Sequence, residues 1–172
     1  MSDQHISPKE LRRRFSYHRN GWLIRKVRTA PNTFIGQIVK GHSQGKRDKY
    51  KYLFIRIKNK RYKIAFHRAV FAVVNGRYPK KILDHVNRDA SDNRITNLRE
   101  ATISQNGFNQ KLSKRNKSGY RCIQWVATRQ RWRLIICANG KYHYIGTYKN
   151  LATAIVKQKE SLKRLHGTFA VV

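Results

Sequence analysis

Four residues in the middle of the chain have the types and the order that metal-assisted phosphodiester hydrolysis requires. Asp84 and His85 are adjacent, and Asn97 and Asn106 follow them. A carboxylate is a hard ligand for a divalent cation, an imidazole beside it can act as a general base, and amide oxygens from later in the chain can complete such a site. The cluster therefore indicates cleavage of a phosphodiester.

The charge of the chain indicates which polymer carries that phosphodiester. The sequence has 39 Lys and Arg against 8 Asp and Glu, which gives a formal net charge of +31. A field of this sign attracts polyanions, so nucleic acid is the leading partner and a nuclease is the leading function. A basic protein can also coat an anionic membrane, but the sequence has neither a long apolar run nor a strongly one-sided basic amphipathic helix.

Length and composition allow one medium domain or two small ones. The 172 residues are 40% hydrophobic and include three Trp, nine Tyr and seven Phe, enough for modest cores. The two cysteines, Cys122 and Cys137, form no Cys-x-x-Cys pair, so we expect no structural zinc and no disulfide. The polar first ten residues lack the apolar segment of a secretory signal, so we expect a cytoplasmic protein.

The first part of the chain reads as short strands followed by a helix. Apolar runs predict strands at 21–25, 50–57 and 61–66, and a hairpin turn at 58–60 joins the second to the third. Residues 67–74 then have the apolar content of a short helix, which Asn75-Gly76 should end.

The next segment predicts the order strand, loop, strand, helix. Residues 82–85 form a strand that delivers the Asp-His pair, and 88–94 have the Asp, Asn and Ser content of a turn. Residues 95–99 should return as a second short strand. A helix capped by Thr102 should run to about residue 112 and carry Asn106.

This order and these residues resemble the HNH, or ββα-metal, nuclease family over about residues 67–110. The resemblance is greatest to the phage branch found in homing endonucleases of group I introns. The family residues recur as His67-Arg68, Asp84-His85, Asn97-Leu98-Arg99 and Asn106. The third family residue is often His and is Asn106 here, as is common in the phage branch, so the preferred metal is left open.

The resemblance implies a role for each site residue. His85 would be the general base, and Asp84 and Asn106 would hold one divalent cation, for which oxygen ligands favour Mg²⁺ or Mn²⁺. Asn97 would brace the loop and orient His85 through a backbone carbonyl. His67 is expected to make a structural hydrogen bond instead of taking part in catalysis. One metal and one base per chain imply a monomer that nicks, with two copies needed to cut both strands.

The last part of the chain predicts a second small domain. Residues 113–118 are basic and almost without apolar content, which is typical of a linker. Strands are predicted at 120–125, 131–137 and 141–148, the last two joined by an Asn-Gly turn, and a helix capped by Asn150 should extend to about residue 165. We therefore predict an α+β protein with a ββα-metal nuclease domain at 1–112, a linker at 113–118 and a domain of three antiparallel strands packed on one helix at 119–172.

The second domain resembles the ethylene-response-factor (Apetala) DNA-binding domain over about residues 119–170. The matching residues are Gly119-Tyr120-Arg121, Trp132, Asn139-Gly140-Lys141, Ile145-Gly146-Thr147-Tyr148 and Leu165-His166-Gly167. The resemblance implies that the sheet lies in the major groove of DNA and that the helix packs behind it. Gln124 and Cys137 stand where the plant domain usually has Arg, so base preference cannot be transferred.

Strand alternation separates the two faces of this predicted sheet. Trp132, Leu134 and Ile136 should point towards the helix. The opposite face and its neighbouring turns would then offer basic, amide and aromatic side chains to DNA. The candidate DNA-binding residues are Arg121, Gln124, Arg129, Arg131, Arg133, Tyr142 and Tyr144.

The sequence thus predicts a metal-dependent endonuclease for double-stranded DNA, either homing-type or freestanding, in the cytoplasm of the host cell if a phage encodes it. The alternative is a non-catalytic nucleic-acid-binding regulator that retains a degenerate nuclease fold. Metal-dependent cleavage separates the two functions. A basic packaging protein is a third reading, and the well-patterned cores argue against it.

Overall fold

The computed structural model describes residues 6–45 and 49–167. The chain divides into two compact units, Met1–Glu100 and Ala101–Val172. Each unit combines small antiparallel sheets with helices, so the predicted α+β class is confirmed. None of the helices in the described part of the chain is long and apolar enough to cross a lipid bilayer.

The first unit opens with a short helix and a three-stranded antiparallel sheet. Helix α1 (Pro8–Arg14) begins where the Ser7 side chain accepts a hydrogen bond from the Glu10 amide. Strands β1 (Phe15–His18), β2 (Trp22–Arg25) and β3 (Ile38–Val39) follow in that spatial order. Only β2 was predicted, because three of the seven residues of α1 are arginine, β1 has no run of apolar residues and β3 has only two residues.

A hairpin and a buried helix form the centre of the first unit. Strands β4 (Tyr52–Ile57) and β5 (Lys60–Ala65) pair through a two-residue turn, and helix α2 (Phe66–Asn75) follows at once. The helix ends at Gly76, whose φ of 68° is left-handed, as the sequence predicted. The hydrophobic core of the unit includes Phe66 and Val70 of α2, which are almost completely buried.

The predicted strand, loop, strand, helix segment is present with two differences. Strand β6 (Ile82–His85) pairs with β7 (Leu98–Ala101), and helix α3 (Ile103–Asn109) follows. The second strand begins at 98 instead of 95, because the Asn97 amide donates to the Arg94 carbonyl at 2.8 Å and closes a 3₁₀ turn. The helix stops before 112, because the backbone at Gln110 is extended.

The second unit is a three-stranded antiparallel sheet with one long helix. Strands β8 (Ile123–Val126), β9 (Arg131–Ala138) and β10 (Lys141–Tyr148) lie in the order β10-β9-β8, and helix α4 (Leu151–His166) follows. The predicted positions of β9, β10 and α4 are confirmed to within one residue. Strand β8 starts later than predicted, because Cys122 has a φ of 64° that interrupts an extended chain.

The core of the second unit includes a residue of α3. Leu134 and Ile136 are fully buried against α4, as alternation predicted, and Phe108 packs on the same cluster. The ring centroids of Phe108 and His166 are 4.2 Å apart, and Ser104 Oγ donates to the Cys137 carbonyl at 2.9 Å. Helix α3 thus belongs to the second compact unit. The domain boundaries predicted at 112 and 119 would place it in the first domain, and these boundaries stay a prediction.

Candidate functional site

Asp84 and His85 lie side by side at the end of β6, and both side chains are buried. Their exposed fractions are 6% and 5%, so each needs polar partners inside the protein. Arg99 of the paired strand β7 supplies one, because its Nε donates to Asp84 Oδ2 at 3.1 Å. The pairing of β6 with β7 therefore positions the Asp84 carboxylate and also brings in the arginine that offsets the cost of burying its charge.

Asn93 fixes the ring of His85. Asn93 Oδ1 lies 3.2 Å from His85 Nε2, while Asn93 Nδ2 donates to the Ser91 carbonyl at 3.2 Å. Because the amide nitrogen is directed to a carbonyl, the amide oxygen faces the imidazole, and Nε2 must carry the proton that it donates. In this tautomer the lone pair of the neutral ring is on Nδ1.

Asn97 clamps the loop between β6 and β7. Its Oδ1 accepts from the Asn87 amide at 2.9 Å, and its Nδ2 donates to Asn87 Oδ1 at 2.9 Å and to the Asp92 carbonyl at 2.8 Å. The Asn97 backbone carbonyl accepts from the Val86 amide. The side chain thus braces the loop, and Asn93 contacts the imidazole. The contact predicted between the Asn97 carbonyl and His85 stays a prediction.

Ion pairing keeps the carboxylates of this loop charged. Arg94 donates to both oxygens of Asp92 and lowers the pKa of that carboxyl to about 2. Hydrogen bonds from Ser91 also lower the pKa of Asp89. The loop therefore holds its conformation with both acids ionised well below neutral pH.

His67 and Tyr50 lie next to His85. The ring centroids of His67 and His85 are 5.4 Å apart in an edge-on arrangement, and the Tyr50 ring is 5.4 Å from His67 and 6.3 Å from His85. Burial is the main cause that lowers the pKa of His67 to about 4, and the charges of His85 and Arg68 add to it. His67 is therefore neutral near pH 7 and adds no charge beside His85.

The N-terminal sheet supports the same loop from the other side. Tyr17 Oη accepts from the Ile95 amide at 3.1 Å. A Cβ atom built on Gly21 would lie 2.4 Å from Arg94 N and 2.5 Å from Asn93 C, and Gly21 has a φ of 79°. The turn between β1 and β2 thus approaches the Asn93 backbone more closely than any side chain would allow.

The predicted metal ligands have the chemistry of a Mg²⁺ or Mn²⁺ site. Asp84 offers a carboxylate, and Asn106, half-buried on α3 in the second unit, offers an amide oxygen. Among residues 6–45 and 49–167, no three His, Cys, Asp or Glu side chains converge on a metal position. Each predicted ligand offers a hard oxygen donor of the kind that Mg²⁺ and Mn²⁺ prefer, and their sharing of one ion stays a prediction.

The outer face of the second-unit sheet gathers five of the seven predicted DNA-binding residues. Cross-strand pairing puts Gln124 opposite Arg133 and Tyr144 opposite Ile135. Arg121 precedes β8 and Arg129 lies in the turn after it, so these two are outside the strands. The five residues that share the outer face are Gln124, Arg131, Arg133, Tyr142 and Tyr144.

A groove of about 750 Å³ runs along this outer face. Gln124, Arg133 and Tyr142 line it together with residues 115–118, the predicted linker. Arg133 Nη2 donates to Gln124 Oε1 at 2.7 Å. Within the described residues, no acceptor lies within hydrogen-bonding distance of Arg133 Nε, although that atom is buried. The groove thus contains the Arg133 guanidinium, which one hydrogen bond orients and whose Nε has no acceptor among the described residues.

Sequence reasoning missed several residues that shape the catalytic region. Asn93, Tyr50 and Gly21 contact or support the predicted general base, yet none stands at a spacing that distinguishes it from an ordinary loop residue. A turn with several Asp and Asn residues predicts internal hydrogen bonds, but not which amide faces the imidazole.

Fold and site together define an HNH-type domain: an Asp-His pair at the end of one strand, a clamped loop, a second strand and a helix, in that chain order. Residues 65–108 match the family model described as HNH endonuclease. The chain is 31% identical over 105 residues to Protein 3.8 of Escherichia phage T7, a match that covers 60% of this chain and 86% of that protein.

The chain therefore contains an HNH endonuclease domain at residues 65–108 and is related to Protein 3.8 of phage T7. It is also 33% identical over 93 residues to the Uncharacterized HNH endonuclease L560 of Acanthamoeba polyphaga mimivirus, a match that covers 53% of this chain and 46% of that protein. The chain thus spans about half the length of the mimivirus relative. No solved structure matches the chain.

Replacing Gly21 should disturb the loop that carries Asn93. We expect Gly21→Ala to lower the free energy of unfolding by clearly more than Gly36→Ala, because a Cβ at Gly21 meets the Asn93 and Arg94 backbone. Gly36 is a matched control: its φ is 86°, and no described atom beyond its chain neighbours lies within 4 Å of a built Cβ. The left-handed backbone alone should cost roughly 1–2 kcal/mol. Equal losses in urea unfolding would contradict the close contact.

His67 should make the first unit less stable in mild acid. Its pKa is about 4 in the folded protein against 6.5 in the reference state, so the unfolded chain takes up the proton first. The stability that this neutral, buried ring contributes is complete above pH 6.5 and falls as the pH drops towards 4, by roughly 2–3 kcal/mol.

Urea unfolding at pH 7 and pH 4.5 measures this loss. His67→Gln should remove it, and the exposed His42→Gln control should keep it. Glu10, Asp92 and Glu100 have pKa values of about 2 in the folded protein and begin to lose their contribution as the pH falls through their reference values of 4.5, 3.8 and 4.5, and they do so equally in every variant. The same pH dependence in wild type and His67→Gln would contradict the burial of a neutral ring.

Proposed function

We propose that this protein is a divalent-metal-dependent DNA endonuclease that nicks one strand. The observation that carries the proposal is the buried Asp84-His85 pair at the end of β6, with the His85 tautomer set by Asn93. A carboxylate ligand and a pre-oriented base side by side are the two groups that metal-assisted hydrolysis of a phosphodiester requires. The HNH endonuclease domain at residues 65–108 supports this chemistry.

His85 would act as the general base. With Nε2 protonated and donating to Asn93, Nδ1 accepts a proton from the water that attacks the scissile phosphorus. Asp84 and Asn106 would hold a Mg²⁺ or Mn²⁺ ion, which when bound stabilises negative charge on the phosphate and on the leaving oxygen. The imidazolium formed on His85 gains stability from the acceptor oxygen of Asn93.

Asn93, Asn97 and Arg99 would be positioning residues. Asn93 holds the imidazole in one tautomer, and Asn97 ties both ends of the loop that carries Asn93. Arg99 offsets the cost of burying the Asp84 carboxylate and restrains its rotation. Because the imidazole, the loop and the carboxylate are all restrained before DNA binds, less reorganisation is needed when the phosphate arrives.

The outer face of the second-unit sheet would bind double-stranded DNA. Its resemblance to the ethylene-response-factor domain suggests a sheet docked in the major groove, and Arg133 supports this with a pre-oriented guanidinium in a groove. Arg can pair with guanine edges and Gln with adenine edges, whereas tyrosines suit sugar and phosphate. The full proposed set is Arg121, Gln124, Arg129, Arg131, Arg133, Tyr142 and Tyr144.

The broader biological role is also a proposal. A phage-type homing or freestanding nuclease fits the phage T7 and mimivirus relatives. A monomer should nick, and a double-strand break should require two bound copies. The cytoplasmic location expected from the sequence stays a prediction.

Nicking of supercoiled plasmid tests the catalytic proposal. Wild-type protein should convert supercoiled plasmid to open circle with Mg²⁺ or Mn²⁺ and not with EDTA. His85→Ala should lower the rate roughly 10²- to 10⁴-fold, the usual contribution of a general base. Asp84→Ala should lower it and raise the metal concentration needed for half-maximal rate.

A matched histidine variant makes the nicking test specific. His42 is exposed in the same unit, so His42→Ala should cleave at close to the wild-type rate. DNA binding measured in EDTA shows whether His85→Ala still reaches its substrate. Tight binding by wild-type protein without cleavage under either metal would contradict the nuclease and favour the non-catalytic regulator.

DNA affinity in EDTA tests the sheet face. Arg133→Ala should weaken binding to a duplex by roughly 1–3 kcal/mol without lowering the melting temperature, because Arg133 has a buried donor that finds no partner in the described chain. Arg164→Ala is the matched control, since it removes the same charge from an exposed position on α4. Similar losses for both variants would indicate a general charge effect and argue against docking through this face.

A further inference from the structure

A second surface for DNA is suggested by the loop that joins β2 to β3 in the first unit, residues 26–37. On the returning arm of this loop, next to its base, two adjacent large apolar side chains are exposed to solvent: Phe34 is 63% exposed and Ile35 is 69% exposed. Ile38, at the start of β3, is 47% exposed. Single exposed apolar residues are common on proteins, whereas a contiguous exposed apolar patch marks an interaction site.

Hydrogen bonds within the loop fix the segment that carries Phe34 and Ile35. Arg25 Nη1 donates to Thr29 Oγ1 at 2.8 Å, and the Thr29 and Ala30 amides donate to Thr33 Oγ1 at 3.0 and 2.9 Å. The Gly36 amide donates to the Arg25 carbonyl at 2.8 Å, which closes the base of the loop. Polar residues thus fix the loop internally, and the two apolar side chains are left to point outward.

The charge around the loop selects an anionic partner. Residues 11–40 contain no Asp or Glu and eight Lys and Arg: Arg12, Arg13, Arg14, Arg19, Arg25, Lys26, Arg28 and Lys40. An apolar partner protein would gain nothing from this field unless it were strongly acidic. The phosphates of DNA would gain from it directly.

The loop is also fixed relative to the candidate active site. The sheet that carries it is the one whose Tyr17 hydroxyl accepts from the Ile95 amide and whose Gly21 lies against the Asn93 backbone. Phe34 and Ile35 would therefore contact DNA from a sheet that is fixed relative to Asp84 and His85. A flexible tether would not provide this.

We propose that Phe34 and Ile35 form an apolar wedge that enters a base step of duplex DNA. The proposal rests on double-stranded DNA being the substrate, as proposed above. It adds a contact between the first unit and the bases of that DNA. Proteins that kink DNA insert Phe, Leu, Ile or Met between base pairs from the minor groove, with basic residues alongside. A kink opens the groove near the strand to be cut and costs least at flexible pyrimidine–purine steps.

The wedge is tested by its effect on DNA twist, without cleavage. Closed circular plasmid is incubated with the protein in EDTA and relaxed by a metal-independent type I topoisomerase. Partial intercalation unwinds DNA, so bound wild-type protein should shift the linking number of the relaxed product. The Phe34→Ala/Ile35→Ala double variant should lose the shift at equal occupancy and bind roughly 5- to 100-fold more weakly.

A matched variant and a sedimentation measurement complete the test. Val156, 54% exposed on α4, is an apolar residue outside the loop, so Val156→Ala should keep the shift. Both variants should melt at the wild-type temperature, because neither removes a buried group. A wild-type dimer without DNA that becomes a monomer in the double variant would overturn the wedge and make Phe34 and Ile35 a self-association surface.

The outcomes also separate the wedge from the proposed function. Wild-type binding without a linking-number shift, or an unchanged shift in the double variant, would overturn the wedge and leave the endonuclease standing. A normal shift with no cleavage in the presence of metal would overturn the endonuclease and leave the wedge standing. Failure of the wild-type protein to bind plasmid would overturn both.

Discussion

The structure of the first unit depends on the burial of one carboxylate and one imidazole at the end of a strand. Asp84 and His85 are as buried as core residues, and polar groups at such positions must be hydrogen-bonded or paired. Arg99 forms an ion pair with Asp84, and Asn93 forms a hydrogen bond with His85. Asn97 holds the loop that positions Asn93. Two buried side chains, Asp84 and His85, are thus held in place by strand β7, by the loop and by the N-terminal sheet that supports the loop.

Features that follow from a sequence pattern, such as strand alternation and the order of the segments, were predictable. Features that depend on a single tertiary contact were not. Alternation in β9 separated buried Leu134 from Arg133, and the segment order around Asp84 predicted the strand that carries it. Asn93 could not be identified, because its role depends on the three-dimensional path of an irregular loop. Helix α3 was predicted, but its seven residues are too few for a stable isolated helix, and its packing through Phe108 could not be read from its sequence.

The excess of cations constrains how the folded chain behaves without a partner. Only 8 acids oppose 39 Lys and Arg, and Glu10, Asp92 and Glu100 are each already committed to a neighbouring arginine. Most of the positive charge therefore repels itself, which lowers the stability of the compact state. A bound polyanion relieves that repulsion, so ligand binding and folding support each other in this protein.

The contact of Gly21 and Tyr17 with the loop at 93–95 bears on how such a chain can be recombined during evolution. Residues 65–108 match the family model, yet the loop inside that block is supported by strands that precede it by about 70 residues in the printed sequence. Leu11, Phe15 and Leu23 of the same N-terminal segment are buried in the shared core. The matched block therefore depends on residues outside it: a fusion that transferred only 65–108 to another protein would carry the Asp-His pair without the strands that support its loop.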